Sequence, residues 1–278
     1  MAIFGLLASI GWGVADFGGG LASRRAPVLG VLFGSQLSSL LVAIPIVALS
    51  HEPAMATSDL AIALGGGALG ASGLALLYRG LSIGRMGVVA PIAAVLTATL
   101  PVLFGFATEG APSAYAIVGI GFAVVSVVLV SRSPASADGR SSGLWYGLGA
   151  GAVFGTFTIA VSQLSDDLVL SPTVLIRAGS VAAVGAWILV RRQPWRVPRG
   201  LWPALLAIGL VDISATAVYL AAIQIGPLSV AAILASLYPV VTTILAAVVL
   251  SERVRIVQAA GILAAAAAVA LIAGGSSG

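Results

Sequence analysis

The chain has 278 residues, of which 60% are hydrophobic and 8% are charged, and its mean hydropathy is +1.15. This composition excludes a soluble globular domain, because such a domain needs far more polar surface to face water. The apolar runs are continuous and lack the two-residue alternation of a transmembrane β-barrel, so the sequence predicts an all-α membrane protein. No cysteine is present, which excludes disulfide and thiol chemistry.

Ten apolar segments follow one another along the chain, each about as long as the 20 residues that a helix needs to cross a bilayer. The connections between them are short and carry turn signals such as Arg-Ala-Pro, His-Glu-Pro and Gly-Ala-Pro. No basic residue precedes the first segment, so we expect a retained span and not a signal peptide. The ten predicted transmembrane helices are residues 2–22, 28–49, 58–81, 87–107, 112–131, 143–163, 171–190, 202–223, 227–249 and 254–273.

The polar stretch 132–142 divides the chain into two halves of five predicted spans, 1–131 and 143–278. At a shift of about 142 residues the halves match in hydropathy and in scattered identities, for example Gly84 on Gly226. This pattern predicts a duplication of a five-helix unit. Because five is odd, the two copies should be inverted relative to each other in the membrane, as a five-plus-five repeat around a central cavity.

The arginines are distributed unevenly between the connections. Twelve of the thirteen lie at or beside odd-numbered connections, whereas the even-numbered ones carry acidic residues. The positive-inside rule then places the odd connections, including the linker 132–142, in the cytoplasm and both termini outside a bacterial inner membrane. Arg24-Arg25 falls on Asp166-Asp167 at the shift of 142, as inverted copies require. We interpret the arginines as topology signals, and we expect no nucleic-acid partner.

Three charged residues remain inside the predicted spans: Asp16, Arg177 and Asp212. A carboxylate in hydrocarbon costs at least about 2.5 kcal/mol, so these side chains should face a bundle interior or a wet cavity. Two interpretations stay open for each of them. One is structural, as an ion pair such as Arg177–Asp212 or as a side chain that snorkels to the interface. The other is contact with a transported molecule, for which Asp212, the deepest of the three, is the strongest candidate.

Polar and aromatic residues at helical spacing extend this set. Asp212, Thr216 and Tyr219 share one helix face, and Gln36 lies in the second span. Rings near polar groups supply a stacking or cation–π surface, although core packing also explains a ring in a helix. We expect the cavity to be lined by spans 1, 3, 6, 8 and 9. The predicted substrate-binding residues are Trp12, Asp16, Gln36, Tyr78, Phe154, Phe157, Arg177, Asp212, Thr216, Tyr219 and Tyr238.

The sequence carries no motif of an enzyme. Its one histidine, His51, lies in a predicted loop, so neither a His-rich metal site nor a His-based triad is predicted, and we expect no cofactor. The glycine triplets 18–20 and 65–67 are not phosphate loops, because no strand precedes them and no lysine follows. Close packing of helices is the better explanation for both triplets.

Several short features together resemble a known group of membrane proteins. They are the ten spans in two inverted copies, Trp12 with its following glycine, the glutamates Glu109 and Glu252 at equivalent connections, and Tyr238-Pro239 in the ninth span. In this combination the chain is similar to the drug/metabolite transporter superfamily, and in particular to its EamA-type members. The resemblance implies alternating-access export of small metabolites, of the kind carried out by the YddG-type amino-acid exporters. It implies no catalytic residues.

Three hypotheses follow from these features. The first is an exporter of amino acids, with apolar or aromatic side chains, whose carboxylate and ammonium would meet Arg177 and Asp212. The second is a proton-coupled exporter of lipophilic cations, with Asp212 or Asp16 as the titrating carboxylate. The third is a membrane protein without transport activity, such as an assembly partner. The expected partners are the lipid bilayer and a small-molecule substrate, and the protein is expected as a monomer or a homodimer.

Overall fold

The structure is a computed structural model that describes residues 2–49, 52–109, 114–131, 143–161, 163–165, 168–224, 238–251 and 256–275. In these residues it contains ten α-helices and no β-strand, which confirms the all-α prediction. A short 3-10 turn, Arg199–Leu201, precedes the eighth helix. The helices are α1 Ala2–Ala22, α2 Val28–Ala48, α3 Thr57–Ile83, α4 Met86–Glu109, α5 Ala114–Ser131, α6 Leu144–Val161, α7 Leu170–Arg191, α8 Trp202–Gln224, α9 Tyr238–Leu250 and α10 Ile256–Gly275.

The predicted spans coincide with these helices to within a few residues, apart from the ninth. That helix is described from Tyr238 onward, and its predicted first part, 227–237, lies outside the described residues. The linker 132–142 lies outside them as well. Continuous apolar runs interrupted by turn residues were therefore sufficient to locate the helices.

Six of the described helical segments are long and apolar enough to cross a membrane. They lie in α1, α2, α3, α6 and α7, with the sixth running from Arg199 to Tyr219 in α8. Large apolar side chains such as Leu189, Val248 and Ile256 are exposed on the outside of the bundle. An apolar surface of this extent is unfavourable in water and suits contact with lipid.

Helices of the first half pack mainly against helices of the second half. The closest-packed pairs are α1 with α8 and α9, α3 with α6 and α7, α2 with α7 and α8, α4 with α6, and α5 with α10. One buried apolar cluster contains Leu32, Tyr78 and Leu205, from α2, α3 and α8. Because the core lies between the halves, its side chains are drawn from both.

Glycines allow two helix pairs, α1 with α3 and α3 with α7, to approach closely. The ring of Tyr78 on α3 lies directly over Gly19 of α1, where a side chain of any size would collide with it. Gly67 of α3 lies similarly close to the α7 backbone, nearest to the Ile176 carbonyl. The predicted role of the glycine triplets in close packing is confirmed at these positions, whereas Gly65 faces open space.

The connections gather at two opposite ends of the bundle. At one end, the first connection lies beside the third, because Arg24 Nη2 donates to the Leu81 carbonyl at 3.3 Å. At the same end, Gly30 just after the first connection lies against the backbone of Trp195 in the seventh connection. At the other end, the second connection meets the sixth through Glu52 and Asp59. The arginine-bearing connections described here therefore lie together, away from these acidic ones.

Candidate functional site

Arg177 is the centre of a polar group inside the bundle. It lies two turns into α7 and is only 7% exposed. Its Nη1 donates to Oε1 of Gln36 at 2.9 Å and lies 2.8 Å from Oδ2 of Asp212. Its Nη2 donates to Oγ1 of Thr216 at 2.9 Å. The guanidinium of α7 is thus held between α2 and α8, and the Arg177–Asp212 pair that the sequence left open is present.

Thr216 links this arginine to the aromatic residues of the site. Its hydroxyl donates to the Asp212 carbonyl one turn earlier at 2.9 Å, and it accepts the Trp12 indole N–H at 3.4 Å. The rings of Trp12 and Tyr219 lie 5.2 Å apart and are tilted by 50°. The predicted face of Asp212, Thr216 and Tyr219 on α8 therefore contacts both Arg177 and α1.

Two atoms of the charged pair keep unused hydrogen-bonding capacity. Nε of Arg177 is buried and has no acceptor among the described residues, and Oδ2 of Asp212 lies close to the guanidinium without the alignment of a hydrogen bond. A buried donor without an acceptor is costly, by about 1–3 kcal/mol. The charges of the pair are therefore balanced, but its hydrogen-bonding groups are not all used. A bound carboxylate would supply the acceptor that Arg177 Nε lacks.

Asp16 lies beside this group but is not bonded to it. The residue is 8% exposed, and its carboxyl lies within electrostatic range of Asp212, of the Tyr78 hydroxyl and of Tyr238. Tyr78 itself is fully enclosed and lies within range of Arg177 as well. The structure therefore brings together eight predicted residues from α1, α2, α3, α7 and α8, with Tyr238 of α9 at the edge beside Asp16.

Phe154 and Phe157 have a different environment. Both lie on α6 and pack against glycines of α3, Phe154 over Gly73 and Phe157 beside Gly66 and Gly70. These contacts with glycines are typical of side chains that pack in the core between two helices. The cation and one amide of the polar group come from α7 and α2, two helices that the predicted lining of spans 1, 3, 6, 8 and 9 omitted.

Glu52 plays a role that the sequence did not indicate. Its carboxylate accepts the backbone N–H groups of Val169, Leu170 and Ser171, at 3.1, 2.7 and 2.8 Å, and so caps the first turn of α7. Burial raises the pKa of Glu52, but these hydrogen bonds together outweigh it, so that the pKa is lowered from 4.5. The cap fixes the end of the helix that carries Arg177.

Asp59 makes a parallel contact at the same end of the bundle. It is buried in the first turn of α3 and accepts from the hydroxyl and the backbone N–H of Ser165, at 3.0 and 3.3 Å. From the sequence alone, Glu52 and Asp59 are two of the acidic residues of the even-numbered connections, which are predicted to lie outside. Their partners lie more than a hundred residues away, so no local pattern could have revealed the contacts.

Comparison with known proteins gives a match over the second half of the chain. Residues 141–274 match the EamA-like transporter family. No curated protein matches the chain. Among solved structures, 21 chains match. One of them, a crystal structure of a protein, has a TM-score of 0.63 and 18% identity, and the alignment covers 100% of this chain and 98% of that one.

These matches give information about the fold of the chain and about its location in a membrane. At 18% identity the solved structure indicates a shared fold and carries no information about activity. The apolar helices and the EamA-like domain at 141–274 make the chain a multi-pass membrane protein. The EamA-like domain also supports the resemblance to the drug/metabolite transporter superfamily.

Proposed function

We propose that this protein exports small metabolites by alternating access, and that its substrates are amino acids with apolar or aromatic side chains. The EamA-like match over residues 141–274 supports a transporter. The observation that carries the choice of substrate is the buried pair of Arg177 and Asp212, with Nη1 and Oδ2 2.8 Å apart. We also propose that the protein is of the YddG type, which rests on the sequence features that resemble the drug/metabolite transporter superfamily.

A zwitterion fits a buried ion pair better than a singly charged molecule does. When an amino acid enters, its carboxylate pairs with Arg177 and its ammonium pairs with Asp212, so one ion pair is replaced by two. No unpaired charge is left in the low-dielectric interior, where an isolated ion is expensive. The free Nε of Arg177 also gains an acceptor, which gives the bidentate contact that guanidinium groups make with carboxylates.

The aromatic residues beside the pair suit the rest of such a substrate. The tilted rings of Trp12 and Tyr219 pack at a centroid distance of 5.2 Å next to Thr216, which bonds to Arg177. These rings provide an apolar wall for a side chain, and the indole and phenol faces add stacking energy for an aromatic one. Substrates with apolar or aromatic side chains should therefore bind more tightly than charged ones.

Alternating access in this protein rests on a repeat of five helices, inverted between residues 1–131 and 143–278. Two hydrogen bonds support it. Ser39 Oγ of α2 donates to the Gly209 carbonyl of α8 at 2.8 Å, and Ser180 Oγ of α7 donates to the Gly67 carbonyl of α3 at 2.8 Å. The glycines differ by 142 positions and the serines by 141, close to the shift found in the sequence.

The helix pairs support the same repeat. If each helix is exchanged for the one five places along the chain, α1–α8 becomes α6–α3, and α4–α6 becomes α9–α1. All four of these pairs are among the packed ones. The pair α5–α10 is unchanged by the exchange. Two copies related in this way can rock about a shared site and open it to either side in turn.

The orientation that we propose places the arginine-bearing end of the bundle in the cytoplasm of a bacterial cell and both termini outside. The positive-inside rule supports it, together with the separation of arginine-bearing and acidic connections to opposite ends. The Arg177 site then lies nearer the outer end of α7, two turns below the Glu52 cap. An exported substrate would leave past that cap.

Transport in liposomes tests this function. The purified protein is reconstituted, and uptake and exchange of radiolabelled amino acids are measured across a panel that includes phenylalanine, leucine, lysine and glutamate. We expect exchange of the apolar and aromatic members, and a loss of at least about tenfold in Arg177→Ala. No flux for any member of the panel would contradict the proposal and would leave the exporter of lipophilic cations and the membrane protein without transport activity as the remaining hypotheses.

Arg191 provides the matched control for Arg177. It lies on the same helix, but it is exposed and stacks on Trp187 at 5.2 Å, away from the site. Arg191→Ala removes one cation from α7 and should leave exchange close to that of the parent. Equal losses in Arg177→Ala and Arg191→Ala would indicate a general effect on α7 and not a contact with substrate.

One observation favours the second candidate function, a proton-coupled exporter of lipophilic cations. Asp16 is a buried carboxyl without an ion-pair partner in the described residues. A hydrophobic cation would bind it without needing Arg177. Both transport activities can be measured in Arg177→Ala. If this variant retains cation export and loses amino-acid exchange, the two functions are separate.

A further inference from the structure

The seventh connection, between α7 and α8, is unusually rich in arginine. Each of the other odd-numbered connections carries two arginines, whereas this one carries four. They are Arg191, Arg192, Arg196 and Arg199, and all four are exposed. No acidic residue occurs between positions 168 and 211 of the chain. The positive-inside rule explains why arginines lie at this end of the bundle, but it does not require twice as many of them in one connection.

Three of these arginines have no partner in the part of the chain that the structure describes. Arg191 stacks on the ring of Trp187, with its Cζ 5.2 Å from the ring centroid. Arg192, Arg196 and Arg199 make no side-chain hydrogen bond or ion pair with a described residue. A guanidinium group carries five N–H donors in a fixed planar arrangement. One short segment therefore presents three cations whose hydrogen-bond donors are not used by the protein.

Contacts with α2 hold this segment in place. The backbone carbonyl of Trp195 lies so close to Gly30 that a side chain on Gly30 would collide with it. The ring of Trp195 meets the ring of Phe33 edge-on, with the centroids 6.2 Å apart. Pro194 and Pro198 restrict the backbone on either side. Because the segment is ordered in advance, a ligand of the arginines would lose less free energy to ordering it.

The neighbours of the arginines indicate the level of lipid headgroups. Trp187, Trp195 and Trp202 are all exposed, and exposed tryptophans near the ends of transmembrane helices are typical of the membrane–water interface. Leu189 and Val190, directly before the arginines, are exposed as well and suit contact with acyl chains. A ligand at this place would therefore meet cations on one side and apolar side chains on the other.

We propose that Arg192, Arg196 and Arg199 form a binding surface for an anionic phospholipid. The phosphate of the headgroup accepts hydrogen bonds from the guanidinium groups, and the acyl chains lie along Leu189 and Val190. Clusters of four or more basic residues beside the end of a transmembrane helix attract anionic headgroups in this way. A soluble anion would leave the apolar residues unused, which favours a lipid. The surface lies outside the Arg177 site, so the proposal does not depend on the transport function.

Native mass spectrometry of the purified protein in detergent tests the surface. The parent and the double variant Arg192→Gln/Arg196→Gln are titrated with phosphatidylglycerol and, separately, with phosphatidylcholine of the same acyl chains. The parent should bind phosphatidylglycerol more tightly than phosphatidylcholine. The double variant should lose at least about tenfold in affinity for phosphatidylglycerol, because each basic residue near an anionic headgroup contributes about fivefold. Equal affinities of the parent for both lipids would overturn the proposal.

A matched control removes two exposed arginines beside other connections at the same end of the bundle. Arg25→Gln/Arg79→Gln changes the net charge by the same amount and should keep phosphatidylglycerol binding to within about twofold. An equal loss in both double variants would mean general attraction by charge and no binding surface. Glycerol phosphate has the phosphate without acyl chains and should not displace the lipid at the same concentration. If it does, the surface binds a soluble anion and the proposal of a lipid is wrong.

Fluorescence quenching locates the bound lipid. Trp145→Phe removes an exposed indole on α6, and the exposed tryptophans that remain, Trp187, Trp195 and Trp202, flank the surface. In vesicles of this variant, brominated phosphatidylglycerol should quench the emission more than brominated phosphatidylcholine at the same mole fraction. Removing the two arginines of the surface should abolish that difference. Equal quenching by the two lipids, despite selective binding in detergent, would place the lipid elsewhere on the protein and would overturn the proposal.

Discussion

Gly67 and Gly209 lie 142 residues apart and have the same surroundings. Each accepts a serine hydroxyl at 2.8 Å from the helix opposite, from Ser180 and Ser39 respectively. At each, an added methyl group would collide with the backbone of that helix. Two contacts of this kind, each joining a helix of the first half to a helix of the second, hold α3 against α7 and α2 against α8.

An alanine at either glycine should therefore destabilise the protein to a similar extent. Gly67→Ala and Gly209→Ala each push two helix backbones apart, and overpacking of this kind costs about 1–3 kcal/mol. Thermal unfolding of the purified variants in detergent measures the effect. We expect both variants to have a lower unfolding midpoint than the parent, and the two midpoints to be similar to each other.

Gly65 is the control for this prediction. It lies on the same helix as Gly67, but nothing lies near the position of its missing side chain. Gly65→Ala should leave the midpoint unchanged or raise it, because alanine is the better helix former by about 1 kcal/mol. A loss in Gly65→Ala equal to that in Gly67→Ala would mean that contact with α7 does not explain the destabilisation.

Because Arg177 and Asp212 form a buried ion pair, the effects on stability of substituting the two residues should be strongly coupled. Removing one partner of a buried ion pair leaves the other charge uncompensated and costs about 3–5 kcal/mol. Asp212→Asn and Arg177→Gln should each lower the unfolding midpoint and abolish most amino-acid exchange. The double variant should recover stability, because both charges are gone, but it should not recover exchange.

A double-mutant cycle on unfolding free energy quantifies this coupling. If the two substitutions are additive, the 2.8 Å contact contributes nothing to stability in the membrane. If the double variant recovers exchange as well, the charges act only on each other and do not bind a substrate.

Much of this fold was accessible from the sequence because hydropathy alone determines which segments enter lipid. The ends of α1 and α2 were predicted to within one residue, as a continuous apolar run between turn residues requires. The same argument confined the search for a site to the few polar side chains left inside the spans. Arg177 and Asp212 were therefore found before any contact was known.

The partners of these residues could not be predicted, because helical spacing relates only residues on one helix. Gln36 and Arg177 are 141 residues apart, and only the packing of α2 against α7 brings them to 2.9 Å. Phe154 was an equally good candidate on its own helix, yet α3 offers it glycines and not polar groups. Which face of a helix meets which neighbour is decided by side-chain shape, which periodicity does not encode.

The Glu52 cap on α7 should make the stability of the folded protein depend on pH. Folding lowers the pKa of this carboxyl from 4.5, so its stabilising effect is present above that pH and is lost as the pH falls through the lowered value. Glu52→Gln keeps the shape but weakens the cap on α7, because a neutral amide accepts backbone N–H groups less strongly. The variant should melt below the parent at neutral pH.

The difference between Glu52→Gln and the parent should shrink as the pH is lowered, because protonated Glu52 resembles the amide. Thermal unfolding of both proteins over a series of acidic and neutral buffers measures it. A difference that stays constant below pH 4.5 would mean that the charge of Glu52 does not stabilise the α7 terminus.

The last prediction concerns the orientation of the bundle in the membrane. The chain has no cysteine, so a single introduced thiol can be labelled without background. Ala56 and Gln193 are both exposed and lie in connections at opposite ends, Ala56 just before α3 and Gln193 just after α7. Gln193 follows Arg191 and Arg192, and Ala56 lies between Glu52 and Asp59. Because cytoplasmic loops are enriched in arginine, Gln193 should lie inside and Ala56 outside.

In intact cells a membrane-impermeant thiol reagent should therefore label Ala56→Cys, and it should label Gln193→Cys only after the cells are permeabilised. The second labelling also serves as the control that Gln193→Cys is reactive. The reverse pattern would show that the proposed orientation is inverted. Labelling of both in intact cells would contradict the arrangement itself, because the two connections could not then lie at opposite ends of a bundle that spans the membrane.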